Sequence, residues 1–232
     1  QLDTNFERQG KRVGFYNLEM QEKQVYERFI SSQSGIGLTR LRRAKHFLGD
    51  ETEGFELANE ALEKKENIVI STGSRTVSGI RGESRHMGYD AIIIDYMQLL
   101  QAEKEYRGNR AAEVGAVSKG LKALAMQLNV PVIALSQINR TSEMRETKEP
   151  TMAELRESGD IEQDASVVIL LWNLSRKNPS KKGCKVEKQR QGKTGKIVLE
   201  FNGDLMRFEE TGESVKEAQE WTGTDAEDCP FK

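Results

Sequence analysis

Gly88 to Leu100 reads GYDAIIIDYMQLL. Ala91 to Ile94 are four apolar residues in a row, and Asp95 follows them at once. That pattern describes a strand buried on both faces that delivers a carboxylate to its tip. In an open parallel sheet ligands bind beyond the carboxyl ends of the strands, so Asp95 stands where a phosphate-bound Mg²⁺ would sit. An Asp that merely starts a turn would give the same run.

The chain has 232 residues, 36% of them apolar and 31% charged, which is the balance of a globular protein with a substantial core. No apolar run approaches the roughly 18 residues of a membrane span, and the opening QLDTNFERQG has no signal pattern, so a cytoplasmic location without membrane contact is expected. Cys184 and Cys229 have neither metal-ligand nor disulfide-framework spacing. The net charge of −2 conceals segregation: Arg176 to Lys196 is basic and Glu209 to Lys232 acidic. A basic stretch of this kind suits an anionic partner, although most such runs are solvated surface.

Outward from Asp95, strands and helices alternate. Arg12–Tyr16 reads as a strand, and Asn17-Leu18-Glu19-Met20 turns it into a helix carrying Val25, Phe29 and Ile30. Helices are expected over 38–48 and 53–65, and Arg40, Arg42, Arg43 and Lys45 read as solvated surface of the first. Ile68–Ile70 is a strand and Thr76–His86 a helix opened by a Ser/Thr cap. Arg110–Leu128 is a long amphipathic helix with Val114, Val117, Leu121, Leu124 and Leu128 inward, and Pro131–Leu135 a strand ending at Ser136-Gln137. Ser166–Trp172 (SVVILLW) reads as another fully apolar strand. The segments 185–189, 196–201 and 207–209, parted by Gly192, Gly195 and Gly203, form an antiparallel meander at the sheet edge. The fold class is therefore α/β, a doubly wound and mostly parallel sheet with an antiparallel C-terminal edge. Residues 1–210 form one domain, and 211–232 an acidic, flexible tail.

Glu19, Asp95 and Gln137 now fall at the ends of neighbouring parallel strands. Nucleotide hydrolysis needs that mixture: one carboxylate to hold a metal, a second to orient or deprotonate water, and an amide to sense the terminal phosphate. Alone, Glu19 could simply cap the next helix and Gln137 end a strand.

Together NLEM (Asn17–Met20), IIIDYMQLL (Ile92–Leu100), LKALAMQLNVPVIALSQINR (Leu121–Arg140), LRESGDIEQDA (Leu155–Ala165) and KQRQGKTG (Lys188–Gly195) resemble the C-terminal motor domain of DnaB-type replicative DNA helicases. The resemblance runs in the family's order over residues 12–209. It implies a RecA-like ATPase core in a homo-hexameric ring around single-stranded DNA, using ATP and Mg²⁺ at subunit interfaces, with primase and a helicase loader as possible partners and 5′-to-3′ translocation. Asp95 then corresponds to the Mg²⁺-coordinating acid, Glu19 to the catalytic carboxylate and Gln137 to the phosphate sensor. Lys188 and Arg190 correspond to the basic pair that enters a neighbour's nucleotide site. Arg156, Glu157 and Gly159 correspond to a DNA-facing loop. The N-terminal collar of such proteins is not expected in this chain.

One element of the family pattern is missing. A phosphate loop ending in Gly-Lys-Ser/Thr should precede Arg12, and none does; Gly192-Lys193-Thr194 lacks the earlier glycine and the strand-to-helix setting. QLDT (Gln1–Thr4) resembles the segment ahead of the family's first strand, and FERQGK (Phe6–Lys11) the end of the helix after the phosphate loop. A break near Asn5 and Phe6 is therefore expected. The alternative is a non-catalytic RecA-like module that acts in ring assembly or DNA binding.

Overall fold

The computed structural model describes residues 9–43, 46–63, 67–138, 149–155, 159–174 and 178–215. They divide between two compact units. The first comprises Gln1–Gln137, Glu157–Asp164 and Asp204–Met206, and the second Ile138–Arg156, Ala165–Gly203 and Arg207–Lys232.

The first unit is built on a four-stranded parallel sheet. In chain order it contains β1 (Val13–Asn17), α1 (Glu22–Ser34), α2 (Leu38–Arg43), α3 (Asp50–Glu63), β2 (Ile68–Thr72), α4 (Val77–Met87) and β3 (Ala91–Asp95). A 3₁₀ turn (Met97–Leu99), α5 (Arg110–Leu128), β4 (Val132–Ala134) and α6 (Gly159–Asp164) complete it. The strand order is β2-β1-β3-β4. β3 is an inner strand, and Ala91, Ile92, Ile93 and Ile94 are each at most 3% exposed, as an unbroken apolar run requires.

Local chemistry sets the element ends. Thr76 Oγ1 accepts from Gly79 N at 3.1 Å to start α4, and Asn109 Oδ1 accepts from Ala112 N at 3.1 Å to start α5. Helix α1 leaves through Gly35 at φ 74°, α4 through Gly88 at φ 62° and α5 through Asn129 at φ 53°, the left-handed exit that Gly and Asn tolerate best. Phe29, Ile30, Ala58, Leu62 and Ile68 pack α1 and α3 against β2. Gly14 lies under the Tyr89 ring so closely that a Cβ would meet Cε2 at 2.7 Å.

Helix α2 stops at Arg43, short of the expected residue 48. Leu48 is 78% exposed, so a longer helix would gain no buried face there. Its arginines are surface residues as expected, Arg40 pairing with Glu51 at 2.9 Å and Arg42 with Glu27 at 2.7 Å.

The second unit carries β5 (Val167–Asn173), β6 (Lys181–Gln189), β7 (Gly195–Asn202) and β8 (Arg207–Glu210), an antiparallel sheet in that order. The expected meander is present, and it takes β5 into its own sheet. β5 is not buried on both faces: Val168, Leu170 and Trp172 are inside, whereas Val167, Ile169 and Leu171 are 49%, 56% and 48% exposed. Antiparallel pairing with β6 accounts for the alternation, since among the described residues one face of β5 is buried and the other exposed. Trp172 lies across Gly183 on β6, where no Cβ would fit, and packs with Val198, Val215 and Leu174.

Much of the basic run is answered inside this unit. Lys181 pairs with Glu213 at 2.7 Å, and Lys185 and Lys196 both reach Glu149, at 3.1 and 2.6 Å. Gly192-Lys193-Thr194 lies in the exposed turn between β6 and β7, where no helix N-terminus follows. Cys184, on β6, is a free thiol whose pKa burial pushes up; Cys229 lies outside the described residues. Among the described residues no helix is long and apolar enough to cross a membrane.

Candidate nucleotide site at the carboxyl edge of the parallel sheet

β1 and β3 run parallel with Asn17 opposite Asp95. Register therefore brings the two strand tips level. Leu18 N donates to Asp95 O at 2.7 Å, which fastens one tip to the other. Asn17, fully buried, organises the next turn: its Oδ1 accepts from Glu19 N at 3.3 Å and Met20 N at 3.2 Å, and its Nδ2 donates to Met20 O at 2.9 Å. An Asx turn of this kind fixes where Glu19 leaves the strand. Glu19 is exposed, and Asp95 is half-buried.

Asp95 sits in the field of Glu19. Burial, and then the negative charge of Glu19, push the Asp95 pKa above its ordinary value, while Arg28 on α1 pulls it back. An acid held in that state gains most from a cation placed against it. Among the described residues no three Asp, Glu, His or Cys side chains converge as a metal cage. Mg²⁺ does not require one, because it binds through one or two carboxylates together with substrate phosphates and water. Asp95, half-buried at its strand tip, fits that pattern as the one carboxylate.

Gln137 lies three residues beyond Ala134, which pairs with Ile94. It is held by Gln98 of the 3₁₀ turn. Gln98 Nε2 donates to Ser136 Oγ at 2.8 Å and to Gln137 O at 3.3 Å, and Gln137 N donates to Gln98 Oε1 at 3.4 Å. Met97 N to Leu135 O at 2.9 Å adds a backbone tie between the same two turns. Glu19, Asp95 and Gln137 thus share the carboxyl edge of one sheet.

The remaining expected residues fall elsewhere. Lys188 and Arg190 belong to the second unit: Lys188 sits in β6 opposite Val168, and exposed Arg190 follows the strand's last residue with its N–H on Ser166 O at 3.2 Å. Gly159 is exposed and opens α6. Arg156 and Glu157 lie outside the described residues.

The model of the DnaB-like helicase C-terminal domain matches residues 2–210. This chain belongs to that family. It is 36% identical over 216 residues to the replicative DNA helicase DnaB of Haemophilus influenzae, a match taking in 88% of this chain and 46% of that protein. The chain thus spans about half the length of that curated relative. A solved structure of a DnaB-like replicative helicase, described with its interactions with primase, superposes with a TM-score of 0.81 at 27% identity and covers 90% of this chain and 54% of its own. A second, described as an ATPase domain, gives a TM-score of 0.81 at 28% identity, covering 89% and 76%.

Three further residues of this DnaB-family domain bear on the site, Asn17 and Gln98 through hydrogen bonds and Arg28 through its charge, and reading along the chain did not single them out. Asn17 was visible only as a turn former, and its burial shows what it organises. Gln98 lies inside the quoted IIIDYMQLL, but its bonds cross to a strand tip about forty positions away. Arg28 sits on a helix face whose surroundings only the packed sheet defines.

Proposed function

We propose that this chain is the motor of a replicative DNA helicase, coupling ATP hydrolysis to translocation on single-stranded DNA and to duplex unwinding. The observation that carries the proposal is the pairing of Asp95 with Glu19: two carboxylates on fastened strand tips, one half-buried and one open to water. In this reading ATP lies over the carboxyl edge of the parallel sheet. Asp95 would hold Mg²⁺, which when bound neutralises charge on the phosphates. Glu19 orients the attacking water and takes its proton, a role that suits an exposed carboxylate on a rigid turn. Gln137 contacts the terminal phosphate.

Lys188 and Arg190 would serve the site of the next subunit in a homo-hexamer, where an arginine's permanently charged fork stabilises developing phosphoryl charge. Arg156, Glu157 and Gly159 would meet the DNA backbone, with Gly159 allowing close approach to phosphate. Primase and a loader are the protein partners proposed for the intact assembly. Residues 1–210 act as the motor, and 211–232 as an appended acidic tail. The phosphate loop belongs to this scheme, and the break proposed near Asn5 and Phe6 is where it would be inserted; residues 1–8 lie outside the described residues.

Hydrolysis and unwinding measured on the intact protein, with and without single-stranded DNA, test the reading. DNA-stimulated turnover is expected. Binding of DNA with no hydrolysis under any condition would favour the non-catalytic module, which the missing Gly-Lys-Ser/Thr supports.

A further inference from the structure

We propose that Gln98 is a positioning residue for Gln137, and that Arg110 makes helix α5 part of the same device. The proposal rests on the reading of Gln137 as the phosphate sensor. Among the described residues the side-chain amide of Gln98 bonds only to the tip of β4: both of its polar atoms are directed at Ser136 and Gln137. The residue itself lies only three positions after Asp95. Its bonds therefore measure the separation between the strand that carries the acid and the strand that carries the sensor.

The turn holding Gln98 is anchored from outside the sheet. Arg110, the first residue of α5, donates through Nη2 to the main-chain oxygen of Gln98 and through Nη1 to Glu113 at 2.7 Å. At its middle α5 is gripped by α6: Ser118 Oγ donates to Asp164 Oδ2 at 2.8 Å, Lys119 pairs with Asp160 at 3.2 Å, and Gly115 leaves room for the Asp160 carboxylate. α6 opens at Gly159, the residue assigned to the DNA-facing loop. A continuous set of hydrogen bonds and packed helices thus runs from Gly159 to Gln137 within one unit. Such a set couples two sites only if displacement at one end changes geometry at the other, and Gln98 is where that change reaches the sensor.

The test is a double-mutant cycle on the intact protein, measuring ATP turnover with and without single-stranded DNA for Gln98→Ala, Gln137→Ala and the pair. Gln98→Ala is expected to lower kcat while leaving KM within about twofold, because it misplaces a contact made to the terminal phosphate. Once Gln137 is gone, Gln98 has nothing to position. The double variant should therefore turn over at about the rate of Gln137→Ala alone, between about threefold and a hundredfold faster than the product of the two single losses. Arg110→Ala should reduce stimulation by DNA more than it reduces the DNA-free rate. If Gln98→Ala fails to assemble, the isosteric Gln98→Glu takes its place in the cycle, since it keeps an acceptor for Gln137 N and loses the donor to Ser136 and Gln137 O. Multiplicative losses, or a Gln98 variant with wild-type kcat, would overturn the positioning role while leaving Gln137 as sensor. Wild-type turnover in Gln137→Ala would remove the sensor reading and this proposal together.

Discussion

Glu19 faces water and Asp95 is half-buried, so two carboxylates on neighbouring strand tips live in different surroundings. Burial and the Glu19 charge both disfavour the ionised form of Asp95. Glu19→Gln accordingly has two effects. Hydrolysis should fall by about 10²- to 10⁴-fold, the span of a general base. Metal-dependent nucleotide binding should persist, or tighten slightly, because one of the charges opposing Asp95 ionisation is gone. Equilibrium nucleotide binding and single-turnover hydrolysis separate the two, and undiminished turnover would remove Glu19 from its role. At this scale the acids were legible because each ends an apolar strand, and strand ends are visible in sequence. Gln98 was not, since an amide in a 3₁₀ turn carries no sequence signal for the strand tip it will reach.

Among the elements, the hairpin of β6 and β7 shows how charge is used inside the second unit. Glu149 takes Lys185 and Lys196, and Lys185 also pairs with Glu187. Burial alone would raise the Glu149 pKa, but hydrogen bonds from Lys196 and Lys185, reinforced by their charge, outweigh it and hold the pKa below its ordinary 4.5. A depressed acid contributes stability above its unfolded pKa, and the contribution is lost as pH falls through the lower folded value. Glu149→Gln should therefore cost about 1 kcal/mol at neutral pH, or about 2–4 °C in Tm, and its Tm should decline less than wild type between pH 5 and pH 3 by about the same amount. Parallel acid-side melting curves for the two proteins would show the pairs to be incidental. Part of the lysine run finds glutamates distant in sequence, as Lys181, Lys185 and Lys196 do, and Lys188 and Arg190 keep the role toward an anionic partner proposed above. Element-scale reading fell short at SVVILLW, because an apolar run on a half-exposed antiparallel strand is spelled like one buried on both faces. Helix α5 has the bounds that its apolar spacing suggested, Arg110–Leu128, and the structure adds the Asn109 cap and the Asn129 exit that fix them.

On the scale of the whole molecule, the parallel sheet and the basic strand have separate tasks in the proposed assembly. Asp95 and Glu19 would serve the subunit's own nucleotide, and Arg190 a neighbour's. Rings assembled from mixed wild-type and Arg190→Ala subunits should then lose activity more steeply than dilution predicts, since each variant subunit impairs the site of the subunit beside it. Loss in strict proportion to the variant fraction would make Arg190 a residue of its own site or plain surface charge. The alternation of strands and helices made the doubly wound architecture legible from the sequence. The grouping of β5 with β6 to β8 was not legible, because strand order is decided by pairing and not by the composition of any one strand.

The pairing of Asn17 with Asp95 also bears on how a lineage of such chains can change length. Side chains alternate along a strand, so one residue inserted or deleted between Val13 and Asn17 would turn Asn17 to the opposite face and carry Glu19 away from Asp95. Stretches such as 102–108, largely exposed between the 3₁₀ turn and α5, can grow or shrink without moving either tip. Length variation tolerated by the active family should therefore collect in such loops and spare β1, where the spacing from Val13 to Glu19 is itself the inherited property.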